Sequence, residues 1–249
     1  VKVLSLFSGG GLGDYGLTLA GMEIIGQVEI DDYCQKILKL RWPDVPKWKD
    51  IKNVRGEEVI EKCGRIDLIS GGFPCQDISA LNTEGLGIEG ERSGLWKEMF
   101  RIICEIRPRY AFMENSPMLT SRGLGTVLGD LASVGYDSEW ECLPASAFGA
   151  PHQRDRIWIV AYPTSKGLQG FRESNPDSVP IRCFKRQPWG RINYDYEMGL
   201  PCVPENIRMD DGTPYRVDRV RMLGNGQVVQ VVEWIGKRIM EFETLTKNQ

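Results

Sequence analysis

The sequence predicts an α/β protein with a parallel sheet covered by helices on both faces. Two observations carry that expectation. Through residues 1–135, short apolar runs rich in β-branched residues alternate with stretches of helical spacing. The apolar runs are closed by glycines and loops, which suits buried strands better than helices.

Residues 1–7 (VKVLSLF) form the first expected strand, and the glycines after it form a tight loop. Helical spacing runs from 14 to 20, with Leu17 and Ala20 on one side, until Gly21 stops it. Residues 23–29 (EIIGQVE) read as a strand. Residues 31–40 read as a helix, because the acids at its start suit the positive end of its dipole and Trp42-Pro43 ends it. A third strand, 66–70 (IDLIS), leads into the loop Gly71-Gly72-Phe73-Pro74-Cys75-Gln76. A helix over 93–106, a strand over 109–114 and a helix over 124–134 follow, the last closed by Gly135. Further strands cover 136–143 and 156–162. From 163 to 212, Pro, Gly, Asn and charges replace periodic runs, which predicts a small separate lobe. Val228, Val231, Val232, Ile235 and Ile239 then recur at helical spacing, so a helix over 228–242 should pack back on the sheet.

Composition narrows the function classes. The 249 residues are 41% hydrophobic and 26% charged, as in ordinary globular proteins. No apolar run approaches the ~18 residues of a membrane span. A net charge of −3 argues against holding nucleic acid by charge alone. Residues 161–221 are net basic, with 10 Lys+Arg against 8 Asp+Glu, which points to an acidic partner. The 7 cysteines include no CxxC pair and no signal-peptide pattern opens the sequence, so reduced thiols and a cytoplasmic location are expected. His152 is the only histidine and has no cysteine cluster beside it, so no metal site is expected.

Four constellations carry chemistry. Phe7-Ser8-Gly9-Gly10-Gly11-Leu12-Gly13 joins a strand to a helix, and Glu29 ends the next strand. Asp50-Ile51 is expected to close the strand after that. That pattern fits an adenosine-containing ligand whose ribose hydroxyls meet the acid, without choosing between NAD and S-adenosylmethionine. Cys75 follows Gly-Gly-Phe-Pro just past a strand end, which makes it a candidate nucleophile. The other six cysteines read as small buried hydrophobes. Glu114-Asn115 ends the fourth strand, where a carboxylate points into the same crevice. Arg154 and Arg156 stand two apart, so in an extended chain they share a face and suit a phosphate, or a carbonyl with a carboxylate.

In this order the four resemble the C5-cytosine-specific DNA methyltransferase family, in its compact bacterial or phage form. The matching pieces are FSGGGLGDYGL, VEIDDY, KDI, GGFPCQDIS, SGLW, MENSP, HQRDRIWIV and LGNGQVVQV. The sequence departs from the family at Ser116-Pro117, where many members carry Val. It departs again after Asn225, where a small residue and then Val are usual and Gly226, Gln227 and Val229 stand here. The resemblance implies a Rossmann-like S-adenosylmethionine-dependent sheet. Residues 1–162 would form the catalytic and cofactor-binding domain, 163–212 a small target-recognition region, and 213–249 a segment returning to the catalytic domain.

The resemblance assigns catalysis to Cys75, Glu114, Arg154 and Arg156. It assigns S-adenosylmethionine binding to Phe7, Ser8, Gly9, Gly11, Leu12, Glu29, Ile30, Asp50, Ile51, Pro74, Leu95 and Asn225. Double-stranded DNA would meet Gln76, Ser79, Arg182, Lys185, Arg186 and Arg191, and the chain would act as a monomer. A thiolate adding to cytosine C6 makes C5 nucleophilic, and an acid must then share a proton with N3. The target base must leave the stack, and residues 77–93, with Gly85, Gly87 and Gly90, are expected to close over it. Alternatives are an inactive DNA-binding relative, an RNA cytosine-5 methyltransferase, and an NAD-dependent dehydrogenase that would use the glycine loop and Glu29 alone.

Overall fold

The computed structural model describes residues 1–74, 94–150, 152–164 and 216–247. Cys75, Gln76, Ser79, the 77–93 loop, and Arg182, Lys185, Arg186 and Arg191 of the expected lobe lie outside the described residues.

Seven strands form one mixed sheet in the order β3-β2-β1-β4-β5-β7-β6. They are β1 (Lys2–Leu6), β2 (Glu23–Val28), β3 (Lys47–Trp48), β4 (Leu68–Gly71), β5 (Tyr110–Asn115), β6 (Tyr136–Pro144) and β7 (Asp155–Pro163). The first five are parallel, as the alternation of strands and helices predicts. β7 runs antiparallel to both β5 and β6. The expected strands all form, with ends moved by one or two residues.

Helices α1 (Leu12–Leu19), α2 (Asp32–Arg41), α3 (Gly56–Cys63), α4 (Gly94–Ile106), α5 (Leu119–Arg122), α6 (Leu124–Ser133), α7 (Arg216–Asn225) and α8 (Val229–Lys247) connect and cover the strands. α3, α5 and α7 are absent from the sequence expectation, and β3 is expected there only as an unbounded strand ahead of Asp50-Ile51. Each of β3, α3 and α5 is short and buries one apolar residue or none, too few to set a period. Asp50 stands two residues past the end of β3. It caps a 3-10 turn (Ile51–Asn53), its Oδ1 accepting from the Lys52 N–H at 3.0 Å.

Alternate strand residues face two separate cores. Leu4, Leu6, Ile69, Met113, Ile157 and Ile159 pack with Val59, Met99, Ile102, Val127 and Leu131 of α3, α4 and α6. Val3, Ile24, Leu68, Phe112, Trp158 and Val160 pack with Leu17 of α1 and with Val231, Val232, Ile235 and Ile239 of α8. The last four are buried, as their helical spacing requires. Connections leave β1 and β4 toward opposite faces, and the strand order reverses between these neighbours. A crevice opens at the carboxyl edge of such a sheet.

Candidate active site

The β1 exit turns sharply. Phe7 has φ +54°, the left-handed region, and Gly9 and Gly11 follow at +53° and +78°. The Gly9 N–H donates to Glu29 Oε2 at 2.7 Å, and the Asp31 N–H donates to Oε1 at 2.8 Å. The carboxylate that ends β2 thus ties the glycine loop to the start of α2. Burial raises the Glu29 pKa, and these backbone donors pull it partway back.

Glu114, 8% exposed, lies near the carboxyl end of β5. Its Oε1 pairs with Arg156 Nε at 2.8 Å. The pairing depends on strand direction. β7 runs against β5, with Glu114 opposite Trp158, so the start of β7 meets the end of β5. Desolvation raises the Glu114 pKa, and the charges of Arg156 and Arg154 oppose the rise. Arg154 is not in extended chain: it precedes β7 at φ +23°. Its Nη2 donates to Gly226 O at 2.9 Å. Burial and the neighbouring Arg156 lower its pKa. Asn115 Nδ2 donates to Phe73 O at 3.2 Å, which fastens the β4 exit to β5.

These groups border one cleft of about 860 Å3. Of the residues expected to hold a cofactor, Phe7, Gly9, Glu29, Ile30, Asp50, Ile51, Pro74, Leu95 and Asn225 line it. Glu114, Arg154 and Arg156 line it too. Cys75 follows the lining residue Pro74 in the chain.

Ser8, Gly11 and Leu12 are not part of this lining, but Ser8 and Leu12 border a small adjoining space that shares Phe7, Gly9, Gly72, Glu114 and Asn225 with it. The Ser8 hydroxyl turns inward, donating to Ser5 Oγ at 2.9 Å. A side chain on Gly11 would strike the Trp42 ring. Leu12 packs where a side chain on Gly226 would have to stand. The cleft also takes in Phe73, Asn115, Ser116, Asp218 and Met222, to which the sequence reading gave no binding role. The first three sit inside the matched motifs and were readable there. Asp218 and Met222 belong to α7, whose residues carry no helical pattern.

Among the described residues no group of three His, Cys, Asp or Glu stands ready for a metal ion. No helix among them is long and apolar enough to cross a membrane.

Known proteins resemble this chain in sequence and in fold. The chain is 27% identical to the Type II methyltransferase M2.BsuMI of Bacillus subtilis, over 97% of its own length and 76% of the relative's. It is 33% identical to the Type II methyltransferase M.CviJI of Paramecium bursaria Chlorella virus IL3A, over 87% of this chain and 54% of that one. The crystal structure of a Spodoptera frugiperda DNMT2 mutant shares the fold, with TM-score 0.56 and 20% identity over 66% of this chain and 50% of that chain. The chain therefore spans only about half the length of some of these relatives. Residues 1–187, which hold the cleft strands and both arginines, match the family described as C-5 cytosine-specific DNA methylase, and the chain belongs to that family.

Proposed function

We propose that this protein methylates C5 of a cytosine flipped out of duplex DNA, acting as a monomer in the cytoplasm of a bacterium or phage-infected cell, with S-adenosylmethionine as cofactor. One observation carries the reading. The Glu114–Arg156 pair borders the same cleft as the glycine loop and Glu29, so an acid for the base and an acid for a ribose share one space.

The lining suits the cofactor. Glu29, Asp31 and Asp50 offer acceptors to ribose hydroxyls, an adenine amino group and positive charge, while Phe7, Ile51 and Leu95 offer apolar faces. Bound there, S-adenosylmethionine supplies a methyl group on a positively charged sulfur. Gly9, Glu29, Ile30, Asp50, Ile51, Pro74, Leu95 and Asn225 are the binding residues.

Cys75 is the nucleophile. Its thiolate sulfur bonds to C6, and the C5–C6 π electrons move into the ring. Glu114 gives its proton to N3, so the electron pair returns through C5 when C5 takes the methyl group. A base then removes the C5 proton, the C6–S bond breaks and restores the thiolate, and N3 gives its proton back to Glu114. Glu114 suits the acid role because burial favours its protonated form. Arg156 orients that carboxyl group, and Arg154 holds the 225–227 turn against the site. Gln76, Ser79, Arg182, Lys185, Arg186 and Arg191 contact the DNA.

Bisulfite sequencing of plasmid DNA from cells expressing the chain tests substrate and context together. Cys75→Ala should abolish methylation while S-adenosylhomocysteine still binds within about threefold, and methylated cytosine in that variant's plasmid overturns the reading. DNA carrying 5-fluorocytosine in the methylated context should trap a denaturation-resistant adduct, because the final proton removal is blocked.

A further inference from the structure

Building on that reading, we propose that Gln227 is a positioning residue for Glu114. Its amide nitrogen and the carboxylate Oε2 both lie beside Gly72, while Arg156 holds Oε1, so two elements would set how the acid is oriented and protonated.

The 225–227 turn lies where three parts of the site meet. Arg154 Nη2 donates to the Gly226 carbonyl at 2.9 Å. The Gln227 amide fills the space beside Gly13, where an added methyl group would collide with its Oε1. At Gly72, an added methyl group would stand 2.8 Å from Glu114 Oε2 and 3.4 Å from Gln227 Nε2. The amide nitrogen and the carboxylate oxygen thus flank one point that only glycine leaves open. The two groups make no direct hydrogen bond, and the coupling assigned here runs through one bridging water. Gly13, Gly72, Glu114 and Gln227 also border one small space of about 40 Å3 that adjoins the cleft and is lined by the glycine loop.

The chemistry follows from the residue type. The family pattern has valine here, with no hydrogen to donate, whereas this chain presents an amide. A donor near a buried carboxylate favours the ionised form and opposes the desolvation that favours the acid. Among the described residues the charged groups that act on Glu114 are Arg156 and Arg154. Gln227 is neutral, so replacing it changes hydrogen bonding and leaves the charge set alone.

The test is the titration of Glu114 in protein labelled with [δ-13C]glutamate, its resonance assigned by its loss in Glu114→Gln. Gln227→Met should raise the titration midpoint by about half a pH unit or more. The alkaline limb of single-turnover methyl transfer to unmethylated genomic DNA should move up with it. Gln227→Asn, which draws the donor back by one methylene, should shift the midpoint less in the same direction, and it serves alone if Gln227→Met fails to fold by circular dichroism. An unmoved midpoint in a folded variant overturns the inference. The titration needs no turnover, so its outcome is separate from that of the proposed function. A chain that methylates DNA with an unmoved midpoint refutes the Gln227 assignment alone. A moved midpoint in a chain that transfers no methyl group refutes the activity and leaves the coupling standing.

Discussion

Asp14 and Glu114 are two buried carboxylates that the protein handles differently. Glu114 faces a guanidinium at 2.8 Å. Asp14, 2% exposed, has only neutral donors in contact: Ser5 Oγ at 2.5 Å and Gln27 Nε2 at 2.6 Å. Burial raises its pKa from 3.8 to about 6, against the pull of those two donors. Glu29 adds to the rise and Lys47 offsets part of it. A carboxyl group whose folded pKa is raised stabilises the fold fully below its unfolded value. That contribution fades as pH climbs through about 6. Asp14 therefore makes the protein roughly 1–2 kcal/mol more stable at pH 5 than at pH 8. Asp14→Asn should remove that share, read as a smaller difference between urea melts at the two pH values. An unchanged difference would place the titration elsewhere. For Glu114 the expected loss is kinetic: Glu114→Gln should slow single-turnover methyl transfer by ~10²–10⁴-fold, with cofactor affinity little changed.

Between elements, the glycines near α1 do more than approach a ligand. Gly10, Gly13 and Gly16 recur every three residues and meet Met222, Gln227 and the Val229 carbonyl with Val232. Farther along the same contact, Gly236 of α8 lies against Ala20. A seam of missing side chains thus lets α8 and the turn before it lie close on α1. The sequence reading took the first of these glycines for a cofactor loop, because glycine spacing looks the same whether a ligand or another helix approaches. Gly16→Ala separates the two uses. In a free helix the change gains ~1 kcal/mol of propensity. Here the new methyl group would stand 2.8 Å from a backbone oxygen and from the Val232 Cβ, neither of which rotates away. Overpacking should win, at a cost of about 1–3 kcal/mol in urea unfolding, while the cleft keeps its affinity for S-adenosylhomocysteine.

Across the whole molecule, the direction of β7 decides what the cleft can do. Arg156 near its start faces Glu114 near the end of β5 because the two strands are antiparallel. A parallel β7 would have carried both arginines to the far edge of the sheet. Arg156→Ala should therefore lower the methyl-transfer rate by 100-fold or more, with less than about a threefold change in S-adenosylhomocysteine affinity. A loss confined to cofactor affinity would refute that division of labour. Much of the rest was legible in the residues. The apolar runs marked strands, the 228–242 period marked α8, and the motifs named nine of the expected cofactor residues that border the cleft. Ser8, Gly11 and Leu12 belong to the same motif but are not in the lining of the main cleft, since one tight turn aims its residues in several directions. The sequence by itself determined the strand and helix order and the chemistry of the motifs, because apolar spacing and residue type are local properties. Only the tertiary structure decided the direction of β7, the glycine seam under α8 and the placing of Gln227 and Glu114 beside the same glycine, Gly72. Each depends on which distant segment lies alongside, and no local pattern records that choice.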